Sequence, residues 1–177
     1  MESNSLEKKV LFKIRSLTIF YMLALVASGV TAFPIESEIQ IACQVLDISL
    51  DVPPDTYDGL RGWIATVAAG VINTNQTYPF LSYGTDWLAF SHLVIAAAFI
   101  GLYKKPIRNI WIVHFGMIAC IGVIPLALIC GAIRDIPFWW RLIDCSFGFF
   151  GIIPLILLHI YIKLLEKLVR YVPAKYE

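Results

Sequence analysis

Seven ionisable side chains stand within or at the rim of long apolar runs: Asp86, His92, Arg134, Arg141 and Asp144 in one set, His114 and His159 in another. Charged groups in such runs are costly to bury and usually face the interior of a helix bundle, so each is a candidate for chemistry. At about 1.5 Å of helix rise per residue, His92 lies roughly 9 Å further into its run than Asp86 at the mouth. Arg141 and Asp144 are three residues apart, share a helix face and can pair. Arg134 stands in the turn before them, beside Asp135. The five residues together could form an anion or small-ligand pocket, with arginines gripping a carboxylate or phosphate while Asp144 orients them. The alternative is an ion-pair network that fixes helix register and holds down a neighbouring loop.

His114 and His159 lie at similar depth, with Lys163 one turn beyond His159. A pair so placed permits a metal site, bis-histidine haem or a proton relay. His92 stands roughly 15 Å of depth away from both and could not join them. Taken singly, each histidine reads as a satisfied side chain donating to a backbone or hydroxyl oxygen. Nothing else in the chain supports haem, and no cofactor is expected.

Enzyme signatures are lacking: there is no Gly-rich phosphate loop, HExxH, GxSxG or Ser/His/Asp arrangement. Ser91 and His92 are adjacent and so point to different helix faces. The acids sit at run edges, and mid-run polarity is limited to Cys120, which gives no conduction path for a transporter. The reading is therefore a non-enzymatic accessory or small-ligand-binding protein. Its alternative is a membrane-embedded enzyme or redox protein using His92 with Asp86 and Asp144, or His114 with His159. Cys43, Cys120, Cys130 and Cys145 show no metal spacing and read as small packing residues. Cys43 could meet Cys130 or Cys145, which spacing alone leaves open.

The elements that must position these groups are apolar helices. Of 177 residues 59% are hydrophobic, against about 45–50% in soluble domains. Runs over 16–33, 85–103, 110–133 and 138–162 approach or exceed the roughly 20 residues that cross a bilayer. Lys8, Lys9, Lys13 and Arg15 precede the first run, Lys104, Lys105 and Arg108 separate the second from the third, and Lys163, Lys167, Arg170 and Lys175 follow the fourth. Segment 34–84 carries acids against Arg61 alone. Basic short loops stay cytoplasmic, so both termini are predicted inside and 34–84 outside. The expected fold is all-α: one membrane domain over 1–177, a four-helix transmembrane bundle with an outer amphipathic-helix cap. A lead at 1–15 and a tail at 163–177 are cytoplasmic. The lipid bilayer is the expected partner, with a second membrane protein or another copy of the chain beside it, and nucleic acid is not.

Within the outer segment, Asp55 reads as an N-cap, and Leu60, Trp63, Ile64, Val67, Val71 and Ile72 repeat at helical spacing over about 56–73. Ile35, Ile39, Cys43, Leu46 and Leu50 suggest a helix before it, although Ile39 to Val45 also fit strand alternation. Val30-Thr31-Ala32 after a basic start resembles a leader cleavage site, an alternative to a retained first span. Asn75-Gln76-Thr77 matches a glycosylation acceptor. Pro125 predicts a kink in the third span. Cys145, Gly148 and Gly151 make a small-residue face on the fourth, along which helices can approach closely.

The run Tyr78-Pro79-Phe80 through Tyr83-Gly84-Thr85-Asp86-Trp87-Leu88-Ala89-Phe90-Ser91-His92 is followed by Pro106-Ile107-Arg108-Asn109, Phe115-Gly116-Met117-Ile118-Ala119-Cys120 and Arg141-Leu142-Ile143-Asp144-Cys145-Ser146-Phe147-Gly148. Together they resemble a family of small membrane proteins found mainly in Bacteroidetes-type bacteria, to which no activity is attached. The resemblance covers about the last 100 residues. It implies a bacterial inner membrane and carries over no catalytic residues.

Overall fold

The chain is helical throughout because its apolar runs lack the alternation of strands, and no strand occurs among the described residues. The computed structural model describes residues 2–170; the end of the expected tail, including Lys175, lies outside the described residues. The helices are α1 (Glu2–Ala32), α2 (Ile35–Val45), α3 (Gly59–Thr77), α4 (Tyr83–Lys104), α5 (Ile110–Pro125, continued by a π-turn Leu126–Cys130 and Gly131–Ile133) and α6 (Phe138–Arg170). Short 3₁₀ turns at Pro54–Thr56 and Pro79–Leu81 precede α3 and α4. Four stretches are long and apolar enough to cross a membrane: Ser5–Ala32, Pro79–Lys104, Ile110–Ile133 and Phe138–Val169. They contain or coincide with nearly all of the four apolar runs.

Two helices run on past the ends of their apolar runs. The basic lead is the first turns of α1, because Val10, Ile14 and Thr18 repeat at four-residue spacing and are buried. The buried Thr18 hydroxyl is satisfied by donating to the Ile14 carbonyl at 2.8 Å. α6 likewise runs unbroken through residue 162 into the start of the expected tail, with Ile162 and Leu165 buried. On its exposed side Lys163 pairs with Glu166 at 3.1 Å.

Two compact units divide the chain, one of Met1–Leu23 with Ala97–Glu177 and the other of Ala24–Ala96. In the first, α5 packs on α6 through glycines. A Cβ on Gly148 would collide with the Cys120 carbonyl and Val123, and one on Gly116 would lie 2.9 Å from Leu155 Cδ1. The small-residue face expected at Cys145, Gly148 and Gly151 is therefore a contact surface, with backbone against backbone at its centre. Phe99, Leu102, Val113, Leu155 and Leu158 fill the rest of this core. Tyr21 stacks on Phe99 with ring centroids 4.9 Å apart. Asn109 closes the turn from α4 to α5, donating its side-chain amide to the carbonyls of Gly101 at 2.9 Å and Lys105 at 3.0 Å. Both carbonyls also accept a backbone N–H, Gly101 from Lys105 at 3.0 Å and Lys105 from Asn109 at 3.1 Å, so the asparagine amide gives each a second donor at the end of α4.

In the second unit α2 and α3 pack through Cys43, Ile48, Ile64, Ala65 and Ala68, all buried. The N-cap position of α3 is Asp58 rather than Asp55, and Gly59 at φ 55° makes the turn into the helix that a side chain would resist. Asp47 ends α2 in the left-handed region, with Ile48 N–H reaching the Cys43 carbonyl at 2.8 Å in a Schellman closure. On one wall of this unit Gly29 meets α4, where an added Cβ would lie 2.8 Å from the Ala89 carbonyl oxygen.

Candidate functional site

The five residues expected to form an outer pocket are distributed over both units. Asp86 and His92 belong to residues 24–96, whereas Arg134, Arg141 and Asp144 belong to the other unit. Arg141 and Asp144 do not pair. Arg141 Nη1 instead donates to the Leu128 carbonyl at 3.3 Å, its stem lies against Gly131, and its guanidinium sits 5.3 Å from the Phe138 ring centroid. The Leu128 carbonyl lies in the π-turn that follows Pro125, a residue with no N–H for the regular ladder. Gly131 leaves room for the arginine stem to reach it.

Arg134 is the residue at which that helix ends, and Asp135 at φ 56° completes a second Schellman closure through Ile136 N–H to the Gly131 carbonyl, 2.9 Å. Two acids in the chain thus sit in left-handed turns that aspartate tolerates. His92 is half-buried, and its Nδ1 lies 2.8 Å from the Leu88 carbonyl oxygen, a group that only accepts. It is a histidine satisfied by its own helix. Asp86 stands with Phe33, Tyr83, Trp87 and Phe90 around an open, almost wholly apolar groove of about 270 Å³.

His114 and His159 do meet. His114 Nε2 and His159 Nδ1 are 3.1 Å apart, the rings tilted by 42°, and Trp111 packs edge-on against His114. Two imidazoles on opposite sides of one metal ion, at about 2.0–2.1 Å each, would stand about 4 Å apart. The observed contact is a direct hydrogen bond with no space for a porphyrin between the rings. Among the described residues no cluster of three or more His, Cys, Asp or Glu side chains could hold a metal ion.

A polar cleft lies between α2 and α3. Glu36 and Gln40 are one turn apart on α2, and Asn73 and Gln76 lie three apart on α3. With Ser49 they line a cleft of about 340 Å³ whose floor includes Ala65, Ala69 and Ile72. The Glu36 carboxylate is held by both partners: Asn75 Nδ2 donates to Oε2 at 2.6 Å and Gln40 Nε2 to Oε1 at 3.3 Å. Ser82 donates in turn to Asn75 Oδ1, which ties the start of α4 into the same chain of bonds. No cation lines the cleft, so it presents one fixed negative charge among neutral amides and a hydroxyl. Asn75 is consumed in this network and half-buried, which explains the acceptor-like tripeptide as a structural coincidence.

No family model, curated protein or solved structure matches this chain.

The four cysteines are free thiols, so Cys43 is bridged to neither Cys130 nor Cys145. Cys43 is buried, and burial pushes its thiol above the ordinary range. Glu36 is the site residue least visible in the sequence. It is one of several acids in segment 34–84, and only its four-residue spacing to Gln40 marks it as part of a polar face.

Proposed function

We propose that this chain is an integral membrane protein of a bacterial inner membrane, with four spans and both termini cytoplasmic, whose outer segment 34–84 binds a small ligand without transforming it. The four long apolar helices and the basic flanks of their predicted cytoplasmic ends support the membrane part. The observation that carries the binding part is the α2–α3 cleft. Its volume of about 340 Å³ falls within the range of roughly 300–1,000 Å³ typical of small-molecule sites, and polar groups converge on an apolar floor. A carboxylate with its two oxygens already oriented, and no cation lining the cleft, selects a ligand rich in donors, such as an amine or amino sugar, over an anion. The accessory role is compatible with this reading, the ligand then being a signal that the membrane domain relays.

Thermal unfolding of the detergent-purified full chain tests it. Spermidine, ethanolamine and glucosamine are the donor-bearing probes, and succinate is the anionic contrast. A ligand at a hundredfold its Kd stabilises by about 2.7 kcal/mol, a readily measured rise in Tm. The expected result is stabilisation by a donor-bearing probe, none by succinate, and loss of the effect in Glu36→Gln. Stabilisation that survives Glu36→Gln, or a wild-type chain indifferent to every probe, overturns the binding part. Labelling by a membrane-impermeant maleimide tests the topology separately: a cysteine at Ser37 should react in intact cells and one at Lys105 should not.

A second reading is favoured by one observation, the 3.1 Å contact of His114 with His159. As neighbours on one metal ion these rings could carry redox or proton-transfer chemistry. Titration with Cu²⁺, followed by its visible absorption and repeated on His114→Ala, decides it.

A further inference from the structure

We infer that the basic end of the first unit is a docking surface for the phosphate of an anionic phospholipid, seated around Lys13 and Arg15 of α1. This rests on the proposal that the chain spans a bilayer and is independent of the cleft between α2 and α3. Each apolar run begins or ends close to a cation: Arg15 before 16–33, Lys104 after 85–103, Arg108 before 110–133 and Lys163 after 138–162. Spacing alone does not bring these cations together, but the folded chain does. The Arg15 guanidinium lies 5.3 Å from the ring centroid of Tyr103, the neighbour of Lys104. Lys13 Nζ lies 5.1 Å from that of Tyr161, two residues before Lys163. Asn109, next to Arg108, bonds the Gly101 and Lys105 carbonyls and so holds its turn against the end of α4. All of these residues belong to the unit of Met1–Leu23 with Ala97–Glu177.

Little within the protein cancels this charge. Lys163 is paired with Glu166, whereas Lys13, Arg15, Lys104, Lys105 and Arg108 are exposed and form no ion pair among the described residues. Ile14, between Lys13 and Arg15, is fully buried, so α1 seats an apolar edge in the unit and sends one cation to each side, Arg15 to α4 and Lys13 to α6. A tyrosine face attracts a cation through its quadrupole but does not neutralise it, and the N–H groups keep their capacity to donate. Gathered like charges repel one another, and an anionic partner relieves that repulsion. Depth decides which anion. Lys104 is the last residue of a helix long enough to cross a bilayer, and Arg15 directly precedes an apolar run. In a bilayer both cations lie at the level of the phosphates, where basic groups between helices recognise anionic headgroups. That level is why a lipid, rather than a soluble polyanion, is the assigned occupant.

The test is native mass spectrometry of the detergent-purified full chain in mixed micelles holding phosphatidylglycerol and phosphatidylcholine of identical acyl chains. The wild type is expected to retain the glycerol lipid with a preference of roughly tenfold, the scale on which a pair of basic groups acts at an anionic surface. Lys13→Gln and Arg15→Gln should each lower that ratio by roughly threefold, and the two together should bring it close to unity. Arg61→Gln should leave it unchanged, because that guanidinium lies in the other unit and serves the Asp47 carbonyl. Equal retention of the two lipids by the wild type, or a preference that survives the double exchange, overturns the inference and leaves the membrane reading intact. Retention of neither lipid, with the chain soluble without detergent, overturns the membrane reading itself. Displacement of the bound lipid by millimolar inorganic phosphate reassigns the surface to a soluble anion and sinks the lipid assignment.

Discussion

The two units differ in what their polar side chains surround. In the unit of residues 97–170 with the start of α1, Thr18 returns to the Ile14 carbonyl, Asn109 bonds the end of α4 and Arg141 reaches into the π-turn, while His114 with His159 and Lys163 with Glu166 form isolated pairs. In the unit of residues 24–96, His92 likewise returns to its own helix, but four other side chains bond in a chain beside a cleft. Gln40 and Asn75 hold Glu36, and Ser82 holds Asn75 around a cleft. The difference teaches where to look for binding. A polar group already bonded to its own backbone has little left to offer, whereas a carboxylate oriented by two amides beside an open cleft keeps lone pairs for a ligand.

The comparison can be broken most severely at the glycine contacts. Gly148→Val should destabilise the α5–α6 pairing by about 3 kcal/mol, because its side chain must displace the Cys120 backbone rather than a flexible neighbour. Gly122→Ala, where nothing lies within 4 Å of the new Cβ, should be neutral or stabilising by about 0.5 kcal/mol. Unfolding of both variants in mixed detergent measures the gap; equal stabilities would mean that close helix approach does not hold this unit together.

Next in size is Asn75→Ala, which removes a charge-assisted bond from Glu36 and the acceptor for Ser82. A loss of about 1.5–3 kcal/mol is expected, confined to the α2–α3 unit and visible as faster hydrogen exchange there. Exchange that rises evenly over the whole chain would refute the claim that this network is local. Arg141→Met should cost less, about 1 kcal/mol, in line with hydrogen bonds between membrane helices. Its signature is a change in exchange at residues 126–131 with ligand responses untouched. A loss of ligand response would tie Arg141 to ligand binding.

The smallest effect concerns pH. Burial raises the Cys43 thiol in the folded state, so the folded chain holds this proton more tightly than the unfolded chain does. Stability from this group is complete below about pH 8.5, the usual thiol value, and falls as pH rises beyond it. Cys43→Ala should flatten that alkaline slope in a series of unfolding curves.

Much of the architecture is legible in the sequence because helix length is a coarse signal. Four apolar runs locate four long helices, and the glycine face on α6 announces its contact with α5. The finer departures share one physical cause: local chemistry outweighs periodicity. Arg141 and Asp144 have the spacing of a pair, yet the arginine donates to the Leu128 carbonyl in the π-turn instead. His114 and His159 are matched in sequence only by depth, and whether their rings touch depends on helix rotation that no spacing encodes. Glu36 escapes notice because its partner Asn75 lies 39 residues away.

The widened turn after Pro125 has a consequence for how this helix can change. A π-turn is an ordinary helix carrying one surplus residue, and each residue rotates the helix beyond it by about 100°. The wider loop of the π-turn takes up that surplus residue, so the helix on either side of it keeps its phase. Trimming a single amino acid from 126–130 would restore regular winding and leave Gly131 turned toward the Arg141 stem. Length can vary by one residue at this place without twisting one half of the span against the other.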